Sequence, residues 1–178
     1  MVNVANALTV VRIILVPVFV MFLLTGGTVW RLIALAVFGV ASLTDLVDGR
    51  LARSRGLVTD FGKIADPIAD KALTGAALIS LSALGELAPW VPALILFREV
   101  GVTALRFWVI RRGVIAASQG GKLKTLLQIL AICLYVLPAS LSPPAVAKEV
   151  VMAVAVVVTL VTGADYVVRA VRLRRGQA

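Results

Sequence analysis

Residues 45–70 read DLVDGRLARSRGLVTDFGKIADPIAD, and this stretch holds four aspartates: Asp45, Asp48, Asp66 and Asp70. The first two are three residues apart and the last two are four apart. On helices, either spacing puts the pair on one face, with Cβ atoms about 5–6 Å apart. The short segment between the pairs predicts two antiparallel helices, joined by a loop, whose acidic faces meet.

The rest of the chain is strongly apolar. Of its 178 residues, 61% are hydrophobic and 15% are charged, and the mean hydropathy is +1.03. Soluble domains are about half apolar and about a quarter charged, so the composition indicates an integral membrane protein, with a single domain over residues 1–178. The single Cys133 excludes an intramolecular disulfide, and the absence of histidine leaves acid–base chemistry to a carboxylate, a lysine or a metal-bound water.

Six apolar stretches approach the length of about 20 residues that a helix needs to cross a bilayer. Irregular backbone and open sheet edges are unstable in lipid, so all six are predicted to be helices. They cover approximately Leu8–Leu24, Arg31–Asp48, Ile64–Leu84, Trp90–Ile110, Leu123–Leu141 and Val150–Val168. The predicted fold class is therefore all-α, a polytopic membrane protein with six transmembrane helices.

The cations lie on alternate connections. Those after the second and fourth stretches, together with the C-terminus, hold most of the lysines and arginines, whereas the other connections offer only Arg31 and Lys148. By the positive-inside rule both termini are predicted to be cytoplasmic. The net charge of +9 is then a consequence of topology, and nucleic acid is not expected as a partner.

Four ionised carboxylates in one pocket repel one another, and desolvation increases the repulsion. Divalent cations would relieve it, and oxygen-only ligands suit Mg²⁺ or Mn²⁺ better than zinc. Four carboxylates are enough for two ions about 3.5–4 Å apart, the arrangement that clamps attacking and leaving oxygens in phosphoryl transfer. A cation channel or transporter remains an alternative, because acids within membranes also line ion pathways.

The stretch fits D-x2-D-G-x2-A-R-x8-G-x3-D-x3-D at every fixed position and resembles the signature of the CDP-alcohol phosphotransferase family. The fixed positions are Asp45, Asp48, Gly49, Ala52, Arg53, Gly62, Asp66 and Asp70. Shorter pieces resemble the branch of the family that forms phosphatidylglycerophosphate: Asn6-Ala7-Leu8-Thr9 with Arg12, residues 65–71, Arg98-Glu99-Val100 with Arg106, and residues 121–125. The resemblance covers about residues 6–128.

This resemblance implies an enzyme of the bacterial cytoplasmic membrane, usually a homodimer, with its active site facing the cytosol. It implies transfer of the phosphatidyl group from CDP-diacylglycerol to sn-glycerol 3-phosphate, with release of CMP. Asp45 and Asp66 would bridge two metal ions, Asp48 would hold one ion, and Asp70 would hold the other and act as general base. The residues implied to bind the CDP-lipid are Asn6, Thr9, Gly49, Ala52, Arg53, Thr59 and Gly62.

The acceptor carries a phosphate of its own, which requires fixed cations. Arg98 and Arg106 are eight residues apart, which places them on one face of the fourth helix, and Lys122 and Lys124 begin the fifth, where a helix N-terminus favours anions. We predict these four residues as the acceptor-phosphate site. Two alternatives stay open: Arg98 and Glu99 form a structural buried pair, or the lysines contact lipid headgroups.

Two rival functions also stay open. The same pocket would serve a family member with another acceptor, such as inositol phosphate, or phosphatidylglycerol as in cardiolipin synthesis. From a different class, a cation transporter or channel would use the acids as a pathway. Metal-dependent release of CMP separates that class from the enzymes, and a panel of acceptors separates the enzymes from one another.

Overall fold

The computed structural model describes the backbone of residues 4–55, 60–109 and 119–174. Within these ranges it describes the side chains except those of residues 4–7, 45–55, 60–67, 70, 106, 107, 109, 119 and 174. The described backbone contains six helices and no strand, which confirms the all-α prediction. The helices are α1 (Val4–Thr25), α2 (Thr28–Arg55), α3 (Asp60–Ala83), α4 (Trp90–Val109), α5 (Gln119–Val136) and α6 (Ala145–Arg174).

Glycine and proline set several of the helix ends. Gly26 and Gly27, between α1 and α2, have φ angles of 74° and 80°, in the left-handed region that glycine adopts without steric cost. Helix α5 ends at Val136 and not at the predicted Leu141, because Pro138 has no backbone N–H and its ring clashes with the preceding turn.

Helix α6 begins earlier than the predicted Val150. It starts at Ala145, directly after Pro143 and Pro144, and the amide of Ala147 donates a hydrogen bond to the carbonyl of Pro144 at 2.9 Å. Proline suits this place because the first amides of a helix have no partner within the helix. The polar residues before Val150 therefore belong to the helix and not to the preceding connection.

The chain forms two compact units. The first comprises Met1–Ala88 and Ile132–Pro143, and the second comprises Pro89–Ala131 and Pro144–Ala178. In the first unit α1 packs against both α2 and α3, which also contact each other; in the second, α4 packs against α6. The single catalytic domain over residues 1–178 stays a prediction.

Aromatic and aliphatic side chains form the core of the first unit. Phe19 of α1 and Phe38 of α2 are fully buried, and their ring centroids are 5.5 Å apart, within the range of favourable aromatic pairs. Leu78 and Leu81 of α3 are also buried. This packing fixes α1 against the two helices that carry the acidic signature.

Arg31, near the start of α2, joins three segments of the first unit. Its Nη2 and Nη1 atoms pair with the two carboxylate oxygens of Glu86, which follows α3. Nη1 also donates to the carbonyl oxygens of Tyr135 and Leu137, at 3.4 Å each. Because a two-pronged arginine–carboxylate pair is strong and directional, Arg31 ties the start of α2 to the end of α3 and to the end of α5.

The surface of the described helices has the character of a membrane protein. Two segments are long and apolar enough to cross a membrane, Leu8–Thr25 and Ala145–Leu173, while Thr28–Thr44 and Lys71–Ala83 are shorter apolar segments. Large apolar side chains face outward, with Phe97 83% exposed. Soluble proteins rarely expose contiguous apolar surface on this scale, so lipid is the natural solvent for these faces.

Candidate functional site

The four predicted metal ligands lie on two consecutive helices of the first unit that contact each other. Asp45 and Asp48 belong to α2, and Asp66 and Asp70 belong to α3. Because only residues 56–59 connect these helices, they run in opposite directions. The side chains of the four aspartates lie outside the described residues, so their ligand roles stay predictions.

The positions of the aspartates along the helices match. At a rise of 1.5 Å per residue, Asp48 lies about 10 Å before the end of α2, and Asp66 lies about 9 Å after the start of α3. Asp45 and Asp70 each lie about 15 Å from the same end. In antiparallel neighbours these distances put Asp48 level with Asp66 and Asp45 level with Asp70, about one helical turn apart.

Other predicted site residues also belong to the first unit. They were predicted to bind the CDP-lipid, and those on described backbone are Asn6 in α1, Gly49, Ala52 and Arg53 in α2, and Gly62 in α3. Thr59 lies outside the described residues, as do the side chains at the helical positions. Their contacts with the lipid therefore stay predictions.

Helix α1 carries two buried polar side chains in this part of the first unit, and Thr9 lies at the level of Asp45. Thr9, another residue predicted to bind the CDP-lipid, is fully buried, and Arg12 is 1% exposed. Thr9 lies about 24 Å before the end of α1, and Asp45 lies about 26 Å after the start of the antiparallel α2. The sequence resemblance included Arg12 without giving it a role, although an arginine inside an apolar span is itself a mark of a functional site.

In the second unit, Glu99 of α4 joins two of the predicted phosphate-binding cations. Its Oε1 atom accepts a hydrogen bond from Nη1 of Arg98 at 3.0 Å and another from Nζ of Lys124, in α5, at 2.5 Å. Glu99 is 8% exposed and Lys124 is 7% exposed. We call this group of two cations and one carboxylate the Glu99 triad.

Helix α6 fixes the guanidinium of Arg98. Its Nε donates to the carbonyl oxygen of Thr159 at 3.0 Å, and its Nη2 donates to the hydroxyl of Thr162 at 3.0 Å. The side chain crosses α6 at Gly163, where an added Cβ would lie 2.9 Å from Nε and 3.0 Å from Cγ of Arg98. Arg98 is therefore an anchor between α4 and α6, and Gly163 provides the space it needs.

Gln128 connects α5 to the same part of α6. Its Nε2 donates to the hydroxyl of Thr159 at 2.9 Å, and that hydroxyl donates to the carbonyl of Ala155 at 2.6 Å. Lys124 and Gln128 are four residues apart, so they share one face of α5. Buried networks that are satisfied in this way hold their members rigidly, and the Glu99 triad is thus one end of a network across three helices.

The four residues predicted for the acceptor phosphate differ in their surroundings. Arg98 and Lys124 meet on Glu99, so the buried pair that the sequence left open as an alternative is present. Lys122 is exposed in the first turn of α5. Arg106 lies in α4, and its side chain lies outside the described residues. Phosphate binding by the four residues stays a prediction.

Sequence reasoning missed the contribution of α6. Thr159, Thr162 and Gly163 all contact or accommodate Arg98, yet the resemblance reached only to about residue 128. The available sign was a run of small and polar residues inside a valine-rich helix, since such residues mark the contacts between membrane helices.

Comparison with known proteins supports the resemblance. The chain matches the family model of CDP-alcohol phosphatidyltransferase over residues 2–161. It is 56% identical over 173 residues to a "Probable phosphatidylglycerophosphate synthase" of Mycobacterium tuberculosis, covering 96% of this chain and 82% of that protein.

Two further relatives carry another name. The chain is 40% identical over 183 residues to the CDP-diacylglycerol–glycerol-3-phosphate 3-phosphatidyltransferase of Bacillus subtilis, covering 93% of this chain and 94% of that protein. A protein of the same name from Rickettsia typhi is 35% identical over 168 residues, covering 92% of this chain and 94% of its own length. Since the match to the family model includes the whole acidic signature, the chain belongs to the CDP-alcohol phosphatidyltransferase family.

Proposed function

We propose that this protein transfers the phosphatidyl group of CDP-diacylglycerol to sn-glycerol 3-phosphate, giving phosphatidylglycerophosphate and CMP. The observation that carries the proposal is the similarity of this chain to relatives named for this product or this reaction. The matches cover 92% to 96% of the chain. The intact signature in residues 45–70 agrees with it, because divalent cations held by the four aspartates would neutralise the charge of a lipid pyrophosphate.

We propose that the six helices span the bacterial cytoplasmic membrane, with both termini and the acidic end of the first unit facing the cytosol. The exposed apolar side chains and the alternation of cations between connections support this orientation. It places the aspartates within reach of lipid headgroups and of soluble glycerol 3-phosphate. A homodimer, which the family resemblance implies, belongs to the same proposal, and light scattering of the purified protein tests it.

The donor set fits two hard divalent cations, Mg²⁺ or Mn²⁺. Four aspartates on contacting helices offer only oxygen ligands, which these ions prefer. In the proposed arrangement Asp45 and Asp66 would bridge both ions, while Asp48 and Asp70 would each hold one. When bound, the ions would supply neutralisation of the pyrophosphate charge and stabilisation of the departing CMP.

Asp70 is proposed as the general base. A hydroxyl oxygen of glycerol 3-phosphate attacks the phosphatidyl phosphorus, the bond from phosphorus to the CMP oxygen breaks, and the hydroxyl proton passes to the Asp70 carboxylate. The chain has no histidine, so a carboxylate is the natural base at this site. Asp70 lies one turn beyond Asp66 and farther from the connection at residues 56–59.

Arg98, Arg106, Lys122 and Lys124 are proposed to bind the phosphate of the acceptor. The Glu99 triad supports this role, because Arg98 and Lys124 bring two cationic donors together at one carboxylate oxygen, and hydrogen bonds from charged donors to phosphate are strong. Exposed Lys122, two residues before Lys124, adds a cation in the first turn of α5, where the helix dipole also attracts anions.

Release of CMP from CDP-diacylglycerol by the purified protein, measured against a panel of acceptors, tests the function. We expect release with glycerol 3-phosphate in the presence of Mg²⁺ or Mn²⁺, and none after chelation. Release with inositol phosphate or phosphatidylglycerol in its place would move the protein to another reaction of the same family. No release with any acceptor, together with cation flux into vesicles, would favour a transporter.

A further inference from the structure

We infer that Glu99 is a positioning residue for the acceptor-phosphate site, which holds the ammonium of Lys124 at a fixed place beside the guanidinium of Arg98. The inference rests on the proposed function, because the phosphate of the acceptor is the anion that this site would bind. It adds a residue that belongs neither to the acidic signature nor to the proposed set of phosphate ligands.

The first step is that one side of the triad is immobile. Arg98 donates to Thr159 and Thr162 of α6 and lies across Gly163. A planar guanidinium with several directional bonds loses little further freedom when it forms another. Arg98 can therefore serve as the fixed point from which Glu99 is placed.

The second step is that Glu99 holds the ammonium of Lys124 close to the fixed guanidinium of Arg98. A single carboxylate oxygen, Oε1, accepts from Nη1 of Arg98 and from Nζ of Lys124. Lysine has a flexible four-carbon stem, so its ammonium occupies a defined place only where a partner holds it. Without the carboxylate the two cations would repel each other in a poorly solvated environment, and Lys124 would move away from Arg98.

The third step is that the triad suits an anion. It brings two cationic groups together, and the side-chain atoms of Arg98, Glu99 and Lys124 are 13%, 11% and 9% exposed. These side chains are poorly solvated but remain partly accessible to solvent. A phosphate monoester is an anion that two adjacent cationic donors can bind, and oriented donors bind it more tightly than donors that must first be ordered.

The test is steady-state kinetics of purified Glu99→Gln with both substrates varied. We expect the KM for glycerol 3-phosphate to rise by about tenfold or more, as for the loss of one partner of a buried charge pair. The KM for CDP-diacylglycerol should stay within about twofold of wild type, since the residues proposed to bind that substrate belong to the first unit and are unchanged. Glu99→Asp keeps the charge with a shorter reach and should recover part of the loss.

Glu86→Gln is the matched control. Glu86 also binds an arginine, but it belongs to the first unit and pairs with Arg31. Its loss should lower thermal stability and leave the ratio of the two KM values unchanged. The same pattern in Glu99→Gln would show a merely structural role and overturn the inference, as would a lower KM for glycerol 3-phosphate, which would mean that Glu99 competes with the phosphate.

A double-mutant comparison shows whether Glu99 acts through Lys124. In the Lys124→Gln background, adding Glu99→Gln should change the KM for glycerol 3-phosphate by less than about twofold. A full additional loss would overturn the inference. If Glu99→Gln does not fold, Glu99→Asp decides: a selective rise in the KM for glycerol 3-phosphate supports the inference, and wild-type values contradict it.

The outcomes separate this inference from the proposed function. Wild-type protein that releases no CMP with glycerol 3-phosphate would end the proposed function, and the inference with it. Active wild-type protein with an unchanged Glu99→Gln variant would end the inference alone.

Discussion

Replacement of Gly163 by alanine tests the contact between α4 and α6. The new Cβ would lie 2.9 Å from Nε of Arg98, a distance that real Cβ atoms essentially never show, and 3.0 Å from Cγ, which is also tight. Those atoms belong to the middle of the side chain, and Nε is held by the carbonyl of Thr159. The guanidinium must therefore move, and its bonds to Thr159 and Thr162 are the ones that break.

The expected cost follows from those two bonds. Hydrogen bonds from a charged donor contribute about 2 kcal/mol each, and alanine recovers about 1 kcal/mol relative to glycine within a helix. The net loss is about 3 kcal/mol, which lowers the melting temperature by about 6–12 °C for a chain of this size. Because Arg98 anchors the Glu99 triad, we also expect a higher KM for glycerol 3-phosphate.

Thermal unfolding of the purified protein in detergent, compared with Gly101→Ala, measures this cost. Gly101 lies in α4 of the same unit, and an added Cβ there would meet nothing within 4 Å. The control should keep or slightly raise the melting temperature, because alanine favours the helix over glycine by up to about 1 kcal/mol of unfolding free energy. Equal melting temperatures for the two variants would refute the account of Arg98 as an anchor.

The remaining predictions concern the aspartates, the Arg31–Glu86 ion pair and the phosphate site. Asp70→Asn should abolish turnover while leaving nucleotide binding largely intact, and near-normal kcat would reject Asp70 as the base. Arg31→Met should lower the melting temperature by the equivalent of about 1–3 kcal/mol, because Glu86 loses its partner while partly buried. An unchanged melting temperature would show that the Arg31–Glu86 pair does not stabilise the fold. Lys122→Gln should raise the KM for glycerol 3-phosphate more than that for CDP-diacylglycerol, with Lys148→Gln as control, and equal effects on both KM values would contradict phosphate binding.

The helices were largely predictable because their signal is local. Long apolar runs and the four-residue spacing of acids report on neighbouring residues, and all six predicted stretches overlap a described helix. The end of the fifth stretch was wrong because Pro138 sits inside an apolar run, where composition hides a break in the backbone. The start of the sixth was late because Lys148 and Glu149 looked like a connection, although both are good helix formers.

The contacts of the second unit could not be predicted in the same way. Glu99 and Lys124 are 25 residues apart, and Arg98 and Thr159 are 61 apart, so their pairing depends on how α4, α5 and α6 pack. Sequence spacing carries no information about such partners. Arg31 is a similar case: it was counted only as a cation for topology, and its bond to Glu86 spans 55 residues.

The most direct test of the central claim, that acids of α2 and α3 together hold divalent cations, is the stoichiometry of Mn²⁺ binding by electron paramagnetic resonance. We expect two ions per chain for purified protein with CDP-diacylglycerol, and loss of binding in Asp45→Asn and in Asp66→Asn. Absence of bound Mn²⁺ in wild type, or full binding in both variants, would contradict it.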